Sequence, residues 1–156
     1  MNAIEHKLTV LRKIAAIFNQ AFIHWAVGGS LLLYLKGYTD HFNDIDLLIY
    51  EEHASKAKEL MMEIGKLQVL NRNCYRAEHF YIFDVDGVEV DIMGDYYVVK
   101  DGIEHVVALH ENAQIEWMHL GNQRIPLDSI SMWRRHYDVM GRQGKVDMID
   151  RIGVEG

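Results

Sequence analysis

Val27-Gly28-Gly29-Ser30, followed at close range by Asn43-Asp44-Ile45-Asp46-Leu47-Leu48-Ile49, is the part of the chain from which the rest can be read. Ile23–Val27 has the look of a short strand running into the glycine pair, and Ser30 is suited to cap a helix over Leu31–Lys36 that stops near Gly37. Ile45–Tyr50 is apolar on both faces, which predicts a central strand covered on each side. Side chains alternate along a strand, so Asp44 and Asp46 share a face, with Cα atoms ~6.5–7 Å apart at a rise of ~3.3 Å per residue. Two carboxylates so placed repel each other unless one keeps its proton or a divalent cation lies between them. An isolated Asp-x-Asp is most often ornamental, but these acids stand at the mouth of a buried strand, where solvated ornaments are uncommon.

A second alternating strand, Val88-Glu89-Val90-Asp91-Ile92, carries two more acids on one face. By spacing alone either Glu89 or Asp91 can serve as a third carboxylate. Gly28-Gly29-Ser30 lies between a strand and a helix, where glycine allows close backbone approach and the free N–H groups of the helix start attract an anion. The same residues also make a tight turn with nothing bound. They form neither a Walker A loop nor a Rossmann fingerprint, because the lysine and further glycines are missing.

Outward from this centre, residues 3–22 repeat apolar side chains at Ile4, Leu8, Leu11, Ala15, Phe18 and Phe22, predicting an amphipathic helix with Asn2 as its cap. Glu51–Ile64 reads as another helix. Asp86-Gly87 joins the strands His79–Val85 and Val88–Met93 in a hairpin, and Asp101-Gly102 does the same for Tyr96–Lys100 and Ile103–Ala108. A third hairpin is expected over Gln114–Leu120 and Gln123–Ile125. Helices return at Asp128–Met140 and Lys145–Ile152, separated by Gly141–Gly144, with Pro126 marking the boundary before Asp128. The fold class is α/β: a mixed β-sheet flanked by helices, ending in a short helical C-terminus. Residues 1–156 are expected to form a single domain.

Composition narrows the chemistry. A chain of 156 residues is long enough to bury a core without disulfides, and the single Cys74 excludes both an intrachain disulfide and a four-cysteine zinc site. Its nine histidines show neither paired i, i+4 spacing nor an HExxH motif. Tyr96, Tyr97, Trp117 and Trp133 read as core residues, with the lining of an acceptor pocket as the alternative. No apolar run approaches the ~20 residues of a membrane span. The N-terminus carries Glu5 and lacks the pattern of a signal peptide, so the expected location is the cytoplasm. With a net charge of −7 and scattered basic residues, the chain is a poor partner for long nucleic acid. A small nucleotide delivered with a divalent cation remains compatible, because the metal supplies positive charge.

Taken together, Gly28-Gly29-Ser30, Asp44-Ile45-Asp46 and Asp91 resemble, in order and spacing, the nucleotidyltransferase superfamily related to DNA polymerase beta. The likeness spans about residues 23–93 and is nearest to small bacterial members such as the aminoglycoside and lincosamide nucleotidyltransferases, where a histidine can precede the acid pair as His41 does here. The resemblance implies an antibiotic-resistance type of activity, with Asp44, Asp46 and Asp91 holding Mg²⁺ and Asp91, rather than Glu89, helping to activate an acceptor hydroxyl. It also implies that Gly28, Gly29 and Ser30 hold the triphosphate of ATP or GTP. The segment around Leu127-Asp128 and Arg142–Asp147 looks like the helical end of the small members and makes Lys145 a phosphate-contact candidate, although Gly144 and Val146 interrupt the expected Arg-x-Lys-Asp spacing. The acceptor is an antibiotic-like small molecule, a protein side chain or an RNA 3′ end, of which the acidic balance favours the first two, and a homodimer supplying part of its pocket is a further expectation. A non-catalytic or toxin–antitoxin-type regulator that keeps the same fold is the rival reading.

Overall fold

Helical spacing of apolar residues folds the N-terminal segment as α1 (Ala3–Gln20), which buries Val10, Leu11, Ile14, Ala15 and Phe18. The computed structural model describes residues 3–68, 76–77, 80–94, 96–109 and 113–153. Asn2, Cys74, His79 and His110 lie outside the described residues, as do the side chains of Tyr96 and Tyr97. After α1 come β1 (Trp25–Gly28), α2 (Gly29–Leu35), β2 (Ile45–Ile49), a 3₁₀ turn (Glu51–His53) and α3 (Ala54–Met62). The middle of the chain supplies β3 (Lys66–Leu67), β4 (Arg76–Ala77), β5 (Phe80–Val85), β6 (Val88–Met93), β7 (Tyr96–Lys100) and β8 (Ile103–Val107). It ends with β9 (Glu116–Leu120), β10 (Gln123–Leu127), α4 (Ile130–Val139) and α5 (Gln143–Ile152).

Seven strands form one mixed sheet in the order β3-β5-β6-β2-β1-β10-β9, and β4-β7-β8 form a second, three-stranded sheet. Only the β2–β6 and β1–β10 pairs of the large sheet are parallel. The apolar run of β2 is explained by its place: it lies between β1 and β6, and all of its residues except Asp46 are buried. α1 packs on β10 and α3, α2 packs on β1 and β2, and α4 touches α2 and α5. No described helix is long and apolar enough to cross a membrane.

All three expected hairpins form. Asp86 and Gly87 both take positive φ, 53° and 85°, as a two-residue turn that follows strand twist requires. Several boundaries differ from the sequence reading. The helix expected over Glu51–Ile64 is split, because the chain first makes a 3₁₀ turn and only then enters α3. Pro126 lies inside β10, opposite Trp117, and does not mark the helix boundary. Counting alternately from the Leu120–Gln123 pair that flanks the turn, this is a non-hydrogen-bonded position, so the missing N–H costs no bond to β9. Ser129 caps α4, its Oγ accepting from Met132 N at 3.1 Å. Gly144 is helical. The break is made by Gly141, at φ 76°, and Arg142, whose N donates back to Tyr137 O at 2.8 Å.

Candidate active site

Strand register brings the expected residues together. Gly28 stands opposite Asp46 across β1 and β2, and Asp46 stands opposite Asp91 across β2 and β6. Facing residues of paired strands point the same way, so Gly28, Asp46 and Asp91 form a row across three adjacent strands. Two residues back along each chain, Asp44 and Glu89 extend the row into a four-carboxylate patch. Oxygens of Asp44, Glu89 and Asp91 lie within 4.8 Å of one another. That trio includes Glu89, and Asp46 lies near enough for its charge to raise Asp91.

The electrostatics follow from this crowding. Burial, then the charge of Asp44, pushes Asp46 up to about 7. Burial, then Asp46, pushes Asp91 further, to about 9. Asp44 is also raised, by burial and then by Glu89. Asp91 Oδ1 is buried and accepts no hydrogen bond. Mutually repelling carboxylates around an oxygen without a partner fit a hard divalent cation, which takes oxygen ligands and removes the repulsion. Asp44, Glu89 and Asp91 could hold such an ion, with Asp46 alongside.

The turn beside the acids departs from one expectation. Ser30 does not cap α2: the helix is entered at Gly29, whose φ is 60°, after Gly28, and no side chain caps it. Entry through a left-handed residue moves the helix start ahead of Ser30 and leaves Ser30 on the cleft wall. Gly29 is pressed against the row, since a Cβ there would come 2.9 Å from Asp46 Cγ and nearer still to Oδ2.

Acids and turn share one cleft of about 420 Å³, whose walls also include His41, Trp133, Tyr137, Arg142 and Lys145. Lys145, a residue singled out only by resemblance, thus faces Gly29, Ser30 and the acids from α5. Its ammonium is lowered in pKa by burial and then by Arg142. Burial and then the charge of Asp46 raise the Tyr137 hydroxyl. Sequence reasoning missed Tyr137 and Arg142. The four-residue step from Trp133 to Tyr137 on one helix face, and a cation directly after the Gly141 break, were the available signals. Of the aromatic candidates, Trp133 is buried at the cleft wall, whereas Trp117 is half exposed beneath the Arg124 guanidinium, away from the cleft. Among the described residues no histidine joins a group of three metal-ligating side chains.

No family model and no curated relative matches the chain. Solved structures do. A candidate nucleotidyltransferase from Thermotoga maritima, TM1012, superposes with a TM-score of 0.73 at 27% identity, covering 97% of this chain and 94% of its own. The antibiotic-resistance factor ANT(2'')-Ia, in its solution structure, gives a TM-score of 0.65 at 12% identity over 96% of this chain and 85% of that one. The lincosamide antibiotic adenylyltransferase LnuA, solved with lincomycin bound, gives 0.59 at 16% identity over 92% and 96%. At these identities ANT(2'')-Ia and LnuA speak for the fold alone. The chain has the nucleotidyltransferase fold, and its structural neighbours are a candidate nucleotidyltransferase and the aminoglycoside and lincosamide nucleotidyltransferases that its glycine turn and acid pattern resemble.

Proposed function

We propose that this protein is a Mg²⁺-dependent nucleotidyltransferase that moves a nucleoside monophosphate from ATP or GTP to a hydroxyl of a small, antibiotic-like molecule or of a protein. The observation that carries this reading is the register pair of Asp46 and Asp91, with Asp44, Glu89 and the Gly29-Ser30 turn beside it, in one cleft with Lys145 and Arg142. In the reaction the acceptor oxygen bonds to the α-phosphorus, the bond from that phosphorus to the α–β bridging oxygen breaks, and pyrophosphate leaves. The acceptor's proton passes to Asp91, a carboxylate that the bound cation would keep ionised and able to take it.

The remaining roles follow from position. Asp44, Asp46 and Asp91 are the proposed Mg²⁺ ligands, with Glu89 a fourth carboxylate in reach. When bound, the metal would supply the positive charge that stabilises the attacking and leaving oxygens. Backbone N–H groups of Gly29 and Ser30, free of helical partners at the start of α2, are placed to donate to phosphate oxygens. Lys145 and Arg142 add cations on the opposite wall. Positioning and preorganised charge would provide most of the rate.

ANT(2'')-Ia is an antibiotic-resistance factor and LnuA was solved with lincomycin bound, and by analogy a small-molecule acceptor is favoured here. A cytoplasmic location, a single domain over 1–156 and a homodimer that completes the acceptor pocket belong to the same proposal. The rival, non-catalytic reading gains nothing from the site, since all the acids it could dispense with are present. The test is a screen of acceptors with labelled triphosphates, read by mass spectrometry. A mass increase of one nucleoside monophosphate on any acceptor supports transfer; its absence across antibiotics, proteins and RNA ends contradicts it.

A further inference from the structure

Gly28 and Gly29 lack side chains for different reasons. Gly29 adopts a left-handed conformation against Asp46. Gly28, at φ −131° and ψ −164°, is extended, and any residue could take that conformation. What forbids a side chain there is Trp133. A Cβ on Gly28 would fall 2.5 Å from indole Cε2 and 2.7 Å from Nε1.

The indole is itself held in place. Trp133 Nε1 donates to Asp128 Oδ2 at 3.2 Å, and Asp128 Oδ1 accepts from Ser129 N at 2.8 Å. Asp128 N donates to Val27 O at 3.1 Å, on the residue before Gly28. Asp128 and Trp133 are each only 3% exposed. Asp128 is therefore linked to the turn by two routes, through the β1 backbone and through the indole laid on Gly28. An acid buried this deeply beside an indole is an expensive choice for packing alone.

We propose that Asp128 and Trp133 are positioning residues for the phosphate turn. The indole, oriented by the Asp128 carboxylate, sets how closely the Gly28-Gly29 backbone approaches the Asp46–Asp91 row, and so sets the affinity for a triphosphate. This rests on the nucleotidyltransferase reading for what the turn holds, but not for the contact itself.

The test uses the full chain with Gly28→Ala, Trp133→Leu, the double variant, Trp133→Phe and Asp128→Ala. Three quantities are measured: Mg·ATP affinity by calorimetry, amide exchange at Gly29 and Ser30, and the thermal midpoint. Gly28→Ala alone should weaken nucleotide binding at least roughly tenfold, because its methyl enters the indole, and Trp133→Leu should restore part of that loss. Trp133→Phe and Asp128→Ala each remove the hydrogen bond to the acid and should weaken binding and speed exchange by roughly tenfold. Equal damage from Gly28→Ala in both tryptophan backgrounds would overturn the proposal. So would folded Trp133→Phe and Asp128→Ala proteins with unchanged exchange, and these two decide the matter if Trp133→Leu does not fold. Wild-type protein that binds no nucleotide would overturn the functional reading instead, leaving exchange and the thermal cycle to judge the contact.

Discussion

The two walls of the cleft are built differently. On one side, Asp46 and Asp91 are aligned by hydrogen-bonded strands, and a slip of one residue would turn a strand's acid to the other face of the sheet. On the other, Arg142 and Lys145 stand where α4 gives way to α5, with Arg142 exposed and Lys145 half buried. Arg142 is steadied by its backbone bond to Tyr137 and by its guanidinium lying 5.9 Å from the Tyr137 ring centre. The acid wall is thus fixed before any ligand arrives, whereas long cationic side chains adjust to one. Rigid groups suit chemistry that tolerates little displacement, and adjustable ones suit charge neutralisation.

If that contrast holds, the acid wall governs turnover. Asp44→Asn or Asp46→Asn should abolish transfer while leaving the fold intact, and relief of like charge should keep or raise the thermal midpoint. Asp91→Asn should lower kcat by roughly 10²–10⁴-fold, the range for a general base, and Glu89→Gln by much less. Steady-state rates checked against circular dichroism decide this. Near-normal turnover in an Asp46→Asn protein would make the row structural.

The cationic wall should behave otherwise. Arg142→Gln and Lys145→Gln should raise the KM for triphosphate by roughly tenfold each while changing kcat little, as expected for loss of uniform binding. A fall in kcat with unchanged KM would place these cations in the chemistry and erase the distinction between the walls.

A smaller effect concerns pH. Asp46 and Asp91 titrate higher in the fold than the ~3.9 of an unfolded aspartate, so between these values the native state holds more protons than the unfolded one. Their stabilising contribution is full below about pH 4 and is lost as pH rises through about 7 and about 9. Asp40 and Asp150, lowered by His41 and Arg134, act in the opposite sense and only at acid pH. The metal-free thermal midpoint should therefore fall from pH 6 to pH 9, Mg²⁺ should recover more of it at the higher pH, and Asp91→Asn should flatten the slope. Melting curves at three pH values with Mg²⁺ or EDTA check all three.

The acid wall was legible in the sequence because its determinants are local. Period-two alternation pairs Asp44 with Asp46 and Glu89 with Asp91, and the apolar β2 run marks a central strand. What alternation cannot state is which strands are neighbours, so the choice between Glu89 and Asp91 came from resemblance, while the fold brings both into the patch. Ser30 misled because a serine before an apolar run suits a cap, yet Gly29 turns the chain one residue earlier. The helical wall was less legible: Trp133 and Tyr137 share a helix face and Arg142 follows the Gly141 break, but nothing local states that α4 packs beside α2 and so lines the cleft.

The most direct measurement is calorimetric titration of the protein with ATP and with GTP, each in Mg²⁺ and in EDTA. Four clustered carboxylates should reject a bare triphosphate, so saturable binding is expected in Mg²⁺ and essentially none in EDTA. Equal affinity in both buffers would contradict a metal-bridged triphosphate site and with it the proposed activity.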